Sequence, residues 1–163
     1  MQRNTKIARP LLLCAFTGLF SQCNSKPSAL PVKMPAYTEM AYRKNGDGYL
    51  LITSLTIKND SLFYYERKED DKTEIRWQTA ISMEEEEMIY RLFRANKIDL
   101  VKNEPANIRW EGAASEDLYL SYDTINYHVR YGANTPLSQQ ELKRFNTVKD
   151  KVNALKEKYQ PAN

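Results

Sequence analysis

The chain has 163 residues, 24 Lys+Arg, 21 Asp+Glu, a single His and two Cys, which suits one domain with one core and leaves few residues for metal or Cys-His chemistry. Every acidic residue lies at Glu39 or later, whereas Arg3, Lys6 and Arg9 open the chain, so the net charge of +3 belongs to the leader. The neutral remainder has no clustered basic surface to hold a phosphate backbone, which argues against nucleic acid as a partner.

Residues 1–22 read as an export signal. Arg3, Lys6 and Arg9 form its charged region and Leu11 to Phe20 its apolar one, a run too short for the roughly 20 residues of a stable membrane span. The segment Leu19-Phe20-Ser21-Gln22-Cys23 that closes it resembles the lipobox of bacterial lipoproteins, in which the cysteine is acylated and becomes the new N-terminus. Phe20 and Gln22 depart from the common form, which has Leu three places before Cys and Gly or Ala just before it. The alternative is a plain signal peptide cut after a small residue, leaving Cys23 a free thiol. Cys14 lies in the leader, so the mature chain holds one cysteine, an odd count that suits neither a disulfide framework nor a metal cluster. Lipidation at Cys23 accounts for it, and two or three acyl chains would make attachment effectively permanent.

Residues 23–36 are expected to be the lipidated cysteine and a flexible tether, since Pro27, Pro31 and Pro35 stand among Ser and Lys. Residues 37–163 are expected to form the single domain. Thr38 to Arg43 leads into the turn Asn45-Gly46-Asp47-Gly48, and Tyr49 to Ile57 then alternates with period two. Lys58-Asn59-Asp60-Ser61 turns into the strand Leu62 to Tyr65. Glu66 to Lys72 is a charged loop, and Glu74 to Ile81 puts Ile75, Trp77, Thr79 and Ile81 on one side. Ser82 and Glu85 have capping-box spacing, Glu84 to Glu87 suit the positive end of a helix, and Met88, Ile89, Leu92 and Phe93 give its buried stripe up to Asn96.

Residues 99–115 lack a period and read as a surface connection. A hairpin follows around Asp123-Thr124, with Leu118, Leu120, Tyr122, Ile125, Tyr127, Val129 and Tyr131 expected inward. Pairing Tyr122 with Ile125 sets Tyr119 opposite His128 and Asp117 opposite Arg130 on the outer face. Ser138 and Glu141 cap a final helix of about 20 residues. The expected fold class is α+β, an antiparallel sheet of about six strands with two helices on one face, in the order βββ(β)α-ββα.

No catalytic motif stands out. His128 is most simply a cross-strand neighbour of Tyr119, and the pairs Glu116-Asp117 and Asp70-Asp71 read as solvated. Aromatics are the surplus, and Tyr65, Tyr119 and His128, with Trp110 in the adjoining loop and Asp117 and Arg130 alongside, form the best binding patch. Asp60-Ser61-Leu62 and Asp123-Thr124-Ile125 fit a loose O-glycosylation acceptor at Ser61 and Thr124, and equally well ordinary turn chemistry.

With its lipobox, the strand Leu55-Thr56-Ile57-Lys58-Asn59-Asp60-Ser61-Leu62-Phe63-Tyr64 and the helix Ser82-Met83-Glu84-Glu85-Glu86-Glu87-Met88-Ile89-Tyr90-Arg91-Leu92-Phe93, the chain is similar in layout to the small lipoproteins common in Gram-negative genomes. That resemblance implies a periplasmic or exterior location on a membrane and no activity. The functional expectation is a non-catalytic binding or accessory module, including an immunity or inhibitor protein, that engages another envelope protein. The alternative is a small hydrolase acting on envelope polymers. No cofactor is implied.

Overall fold

The structure, a computed structural model, describes residues 26–46, 52–68, 73–103 and 112–161. Six antiparallel strands, β1 (Glu39–Asn45), β2 (Ile52–Lys58), β3 (Ser61–Arg67), β4 (Glu74–Ala80), β5 (Ser115–Tyr122) and β6 (Ile125–Gly132), form one sheet in the order β4-β3-β2-β1-β5-β6. Helices α1 (Met83–Ala95) and α2 (Gln139–Tyr159) complete the α+β fold. Both have full capping boxes, Ser82 with Glu85 and Ser138 with Glu141, as their spacing predicts.

The turns follow from side chains that tolerate left-handed backbone. Asn59 and Asp60 have φ of 51° and 53° between β2 and β3, which a two-residue hairpin turn of matching twist needs, and Asp123 has φ 49° between β5 and β6. The Asp123-Thr124 turn sets the anticipated register, with Tyr122 opposite Ile125, Tyr119 opposite His128 and Asp117 opposite Arg130. Ser61 follows the first of these turns and is half-buried, and Thr124 lies in the second and is exposed.

Alternation then sorts the side chains. Met40, Tyr42, Leu55, Ile57, Leu62, Tyr64, Leu118, Leu120 and Val129 face inward and meet Ile89, Tyr90 and Phe93 of α1 and Phe145, Val148, Val152 and Leu155 of α2. Both helices therefore cover one face of the sheet, and the other is open. Tyr127 and Tyr131 pack against this core only partly buried, and Ile125, beside the turn, is exposed. On the edge strand β4, Trp77 is half-buried, stacked on Tyr64 at 5.1 Å, and Ile75 is exposed, because the helices do not reach across the whole width of the sheet.

Two expectations need correction. Fixed contacts are already present at Ser28, ahead of the domain start expected near Tyr37. Ser28 Oγ donates to Asp99 Oδ1 at 2.8 Å, and the amide of Ala29 donates to Asp99 Oδ2 at 2.6 Å. Leu30 is buried in the core, its carbonyl accepts from Arg94 Nε, and the hydroxyl of Tyr90 donates to the carbonyl of Pro31. The prolines make this segment extended, and a buried leucine with four hydrogen bonds fixes it as a strap over α1. The connection after α1 is not wholly irregular either, since Ile98–Leu100 form a 3-10 turn whose Asp99 is the strap's anchor.

The glutamates open α1 as expected, and one of them turns inward. Glu86 is buried and accepts from the amide of Asp60 at 2.7 Å, which ties the β2–β3 turn to α1. Its place three, four and seven residues before Ile89, Tyr90 and Phe93 puts it on their face.

Candidate functional site

The open face of the sheet carries the side chains of alternate positions across all six strands. One row runs Arg76, Tyr65, Ser54, Arg43, Asp117, Arg130, and the next runs Gln78, Phe63, Thr56, Ala41, Tyr119, His128. The outward positions hold Arg43, Lys58, Arg67, Arg76 and Arg130 against Glu39, Glu74 and Asp117, so the face is net positive although the chain after the leader is neutral.

Its centre is a stack on β5. Tyr119 lies parallel to the His128 imidazole, with centroids 4.3 Å apart and 4° between planes, and the guanidinium of Arg43 sits 4.7 Å from the Tyr119 ring centroid. β1 supplies Arg43 and β6 supplies His128, on either side of the tyrosine's strand. A cation over a ring and an offset or parallel ring pair are each favourable by about 0.5–1.5 kcal/mol, so the three side chains are held in one arrangement before any partner arrives.

Asp117 was expected among the flanking charges of this surface, and it occupies the expected row, but it is fully buried. Its Oδ1 accepts from His128 Nε2 and from Arg130 Nε, each at 2.7 Å, and its Oδ2 accepts from Asn45 Nδ2 at 3.3 Å. A carboxylate this enclosed costs too much unless it is paired, and the imidazole, guanidinium and amide that satisfy it also cover it. Asp117 therefore orients His128 and Arg130 and is not itself a contact residue. The same hydrogen bond raises the Arg130 guanidinium above its ordinary range.

The amide of Asn103 locks the strand beneath these groups. Its Nδ2 donates to the carbonyl of His128 at 2.7 Å and its Oδ1 accepts from the amide of Arg130 at 2.8 Å, so a side chain occupies part of the outer edge of β6. Sequence reasoning passed over Asn103, which sits in a stretch without period, and over Arg43, whose place beside β5 depends on the long-range β1–β5 pairing.

Tyr65 lies on this face three strands from Tyr119, about 14 Å at the usual interstrand spacing. Arg76 covers its ring at 5.0 Å and its hydroxyl donates to Glu74. It repeats the arginine-on-tyrosine arrangement at the other side of the sheet and is not part of the central stack. Cys23 and Trp110 lie outside the described residues.

An imidazole on a buried carboxylate is also the beginning of a hydrolytic triad. Among the described residues, however, the hydrogen-bond partner of the His128 ring is Asp117, with no hydroxyl in reach, and the ring lies on an open sheet rather than in a cleft. Among the described residues, no group of three or more His, Cys, Asp or Glu could hold a metal ion. No helix there is long and apolar enough to cross a membrane. The chain matches no protein-family model and no curated protein.

Proposed function

We propose that this protein is an envelope lipoprotein, anchored by acylated Cys23, that acts as a non-catalytic binding or accessory module of the immunity or inhibitor kind and engages another envelope protein through the open face of its sheet. The Arg43–Tyr119–His128 stack is the observation that carries this reading. Arginine and tyrosine are among the side chains enriched at interface hot spots, tyrosine because it buries much area for few rotors and arginine because its planar guanidinium offers several fixed donors and stacks on rings. Among the described residues, Arg43 is an outward arginine with no carboxylate in ion-pair range, while Arg76 and Arg130 are paired with Glu74 and Asp117. A cation on an aromatic platform, with no carboxylate of the described residues beside it, suits a carboxylate presented by a partner of acidic surface.

The test is affinity capture from detergent-solubilised envelope of the native host, comparing the wild-type chain with Tyr119→Ala and Arg43→Ala. Each substitution is expected to weaken capture by about 1–3 kcal/mol, or roughly 5- to 150-fold, with thermal unfolding little changed. Undiminished capture by both variants would show that the stack merely covers the sheet.

A further inference from the structure

The strap that crosses α1 leaves strongly apolar side chains in water. Val32 is 76% exposed, Tyr37 86% and Met83, the first residue of α1, 58%. Val32 and Met83 line concavities that share Lys33, Met34 and Glu87, and Tyr37 follows Ala36 of the second in the chain. A concavity lined by Val32, Lys33, Met34, Glu87, Tyr90 and Arg91 adjoins a second one that includes Pro31, Lys33, Pro35, Ala36 and Met83. Tyr37 also has φ 57°, a left-handed conformation that a bulky residue adopts at a cost, and here it lifts the ring away from the fold. Asn59, Asp60 and Asp123 also have positive φ as short polar residues in hairpin turns, and Lys97 has it where it leads into the 3-10 turn after α1; Tyr37 is the aromatic one of these and is exposed.

From this cluster we infer that the strap and the start of α1 form a membrane-docking surface, with Val32, Tyr37 and Met83 seated in the lipid headgroup and upper acyl region. The inference rests on the anchoring of Cys23 proposed above. Its reason is one of length. Five residue steps separate Cys23 from Ser28, where the strap is already tied to Asp99, and they span at most about 17 Å when fully extended. Helix α2 alone is about 30 Å long, so an anchored domain cannot lift clear of the bilayer by its own height.

The strap starts at the C-terminal end of α1, against Asp99, and runs toward Met83 at the helix start, so the face it crosses lies within a tether's length of lipid, and that face is apolar at Val32, Tyr37 and Met83, with a tyrosine suited to the membrane–water boundary. Glu84 is exposed beside Met83 and Asp123 lines the concavity, while Glu87 is neutralised by Arg91 at 2.6 Å. The contact is thus apolar in character, with Lys33 as its cation, and does not depend on anionic lipid.

The experiment uses the full acylated chain in vesicles of phosphatidylethanolamine and phosphatidylglycerol, with an environment-sensitive dye on Val32→Cys, on Met83→Cys or, as a control on the open sheet face, on Gln78→Cys. All three positions are exposed, so the fold should tolerate the label. A quencher attached to the upper acyl chain should quench the first two labels at least about twofold more than the third, as insertion by about 5–10 Å requires. Flotation with the vesicles but equal quenching at all three positions overturns the docking surface and leaves the anchor standing. Failure to float overturns the anchor, and with it the docking. Shielding of the Val32 and Met83 labels by added envelope protein but not by lipid assigns the patch to a protein partner and also overturns the inference.

Discussion

Glu85 and Glu86 are adjacent on α1, yet their surroundings push their ionisation in opposite directions. Glu85 accepts from Lys158 Nζ at 2.7 Å and from the Tyr159 hydroxyl at 2.5 Å, joining the start of α1 to the end of α2, and these bonds hold its carboxyl at about 2. Burial pushes Glu86 up despite the Asp60 amide it accepts. The lowered group stabilises the fold above the ordinary carboxylate value of 4.5 and loses that contribution as pH falls toward about 2; the raised group acts in the reverse sense. Glu85→Gln should therefore flatten the loss of thermal stability between pH 4.5 and 2 relative to wild type, followed by the circular-dichroism melting temperature.

Asp117 makes the companion case. Asp117→Ala strands a half-exposed guanidinium and imidazole over a small void and is expected to cost about 1–3 kcal/mol in denaturant unfolding, more than removal of either exposed ring. Alternation made the face of Asp117 legible in the sequence. Its burial was not, because part of the cover comes from Asn45, far away in sequence, and because the reach of the anticipated neighbour Arg130 onto the carboxylate depends on side-chain conformation.

At the scale of elements, both helices and all six strands were legible, because capping boxes, period-two alternation and turn residues are local signals. The neighbour relation of β1 and β5 was not, since a pairing across some seventy residues leaves no mark on either strand alone. The strap was misread for a related reason. Proline-rich composition describes backbone stiffness and says nothing of whether one leucine finds a pocket.

Leu30→Ala should cost about 2–4 kcal/mol and raise hydrogen exchange of the strap amides, and a cost below about 1 kcal/mol would show that the strap is only loosely seated. Trp77→Ala should cost less than full burial would suggest, about 1–3 kcal/mol, because only part of its ring is covered on the edge strand and what it loses is mainly the Tyr64 stack. A loss near 5 kcal/mol would mean that β4 is covered in solution by something further.

The molecule as a whole is two layers with opposite tasks. The helix layer carries the strap, while the sheet layer turns Arg43, Arg76, Arg130, Tyr65 and Tyr119 the other way. A domain resting on lipid by its helix layer would present the sheet face to the periplasm or exterior, and a short tether would then help binding by orienting that face. Anchoring and folding are separable in this arrangement, since the described contacts start at Ser28 and Cys23 precedes them. Cys23→Ser should accordingly move the protein from the detergent-soluble membrane fraction to the soluble one, while its melting temperature after purification stays with that of the wild-type chain. Unchanged membrane partitioning would refute acylation at Cys23, and a large fall in melting temperature would mean that residues before the strap contribute to the fold.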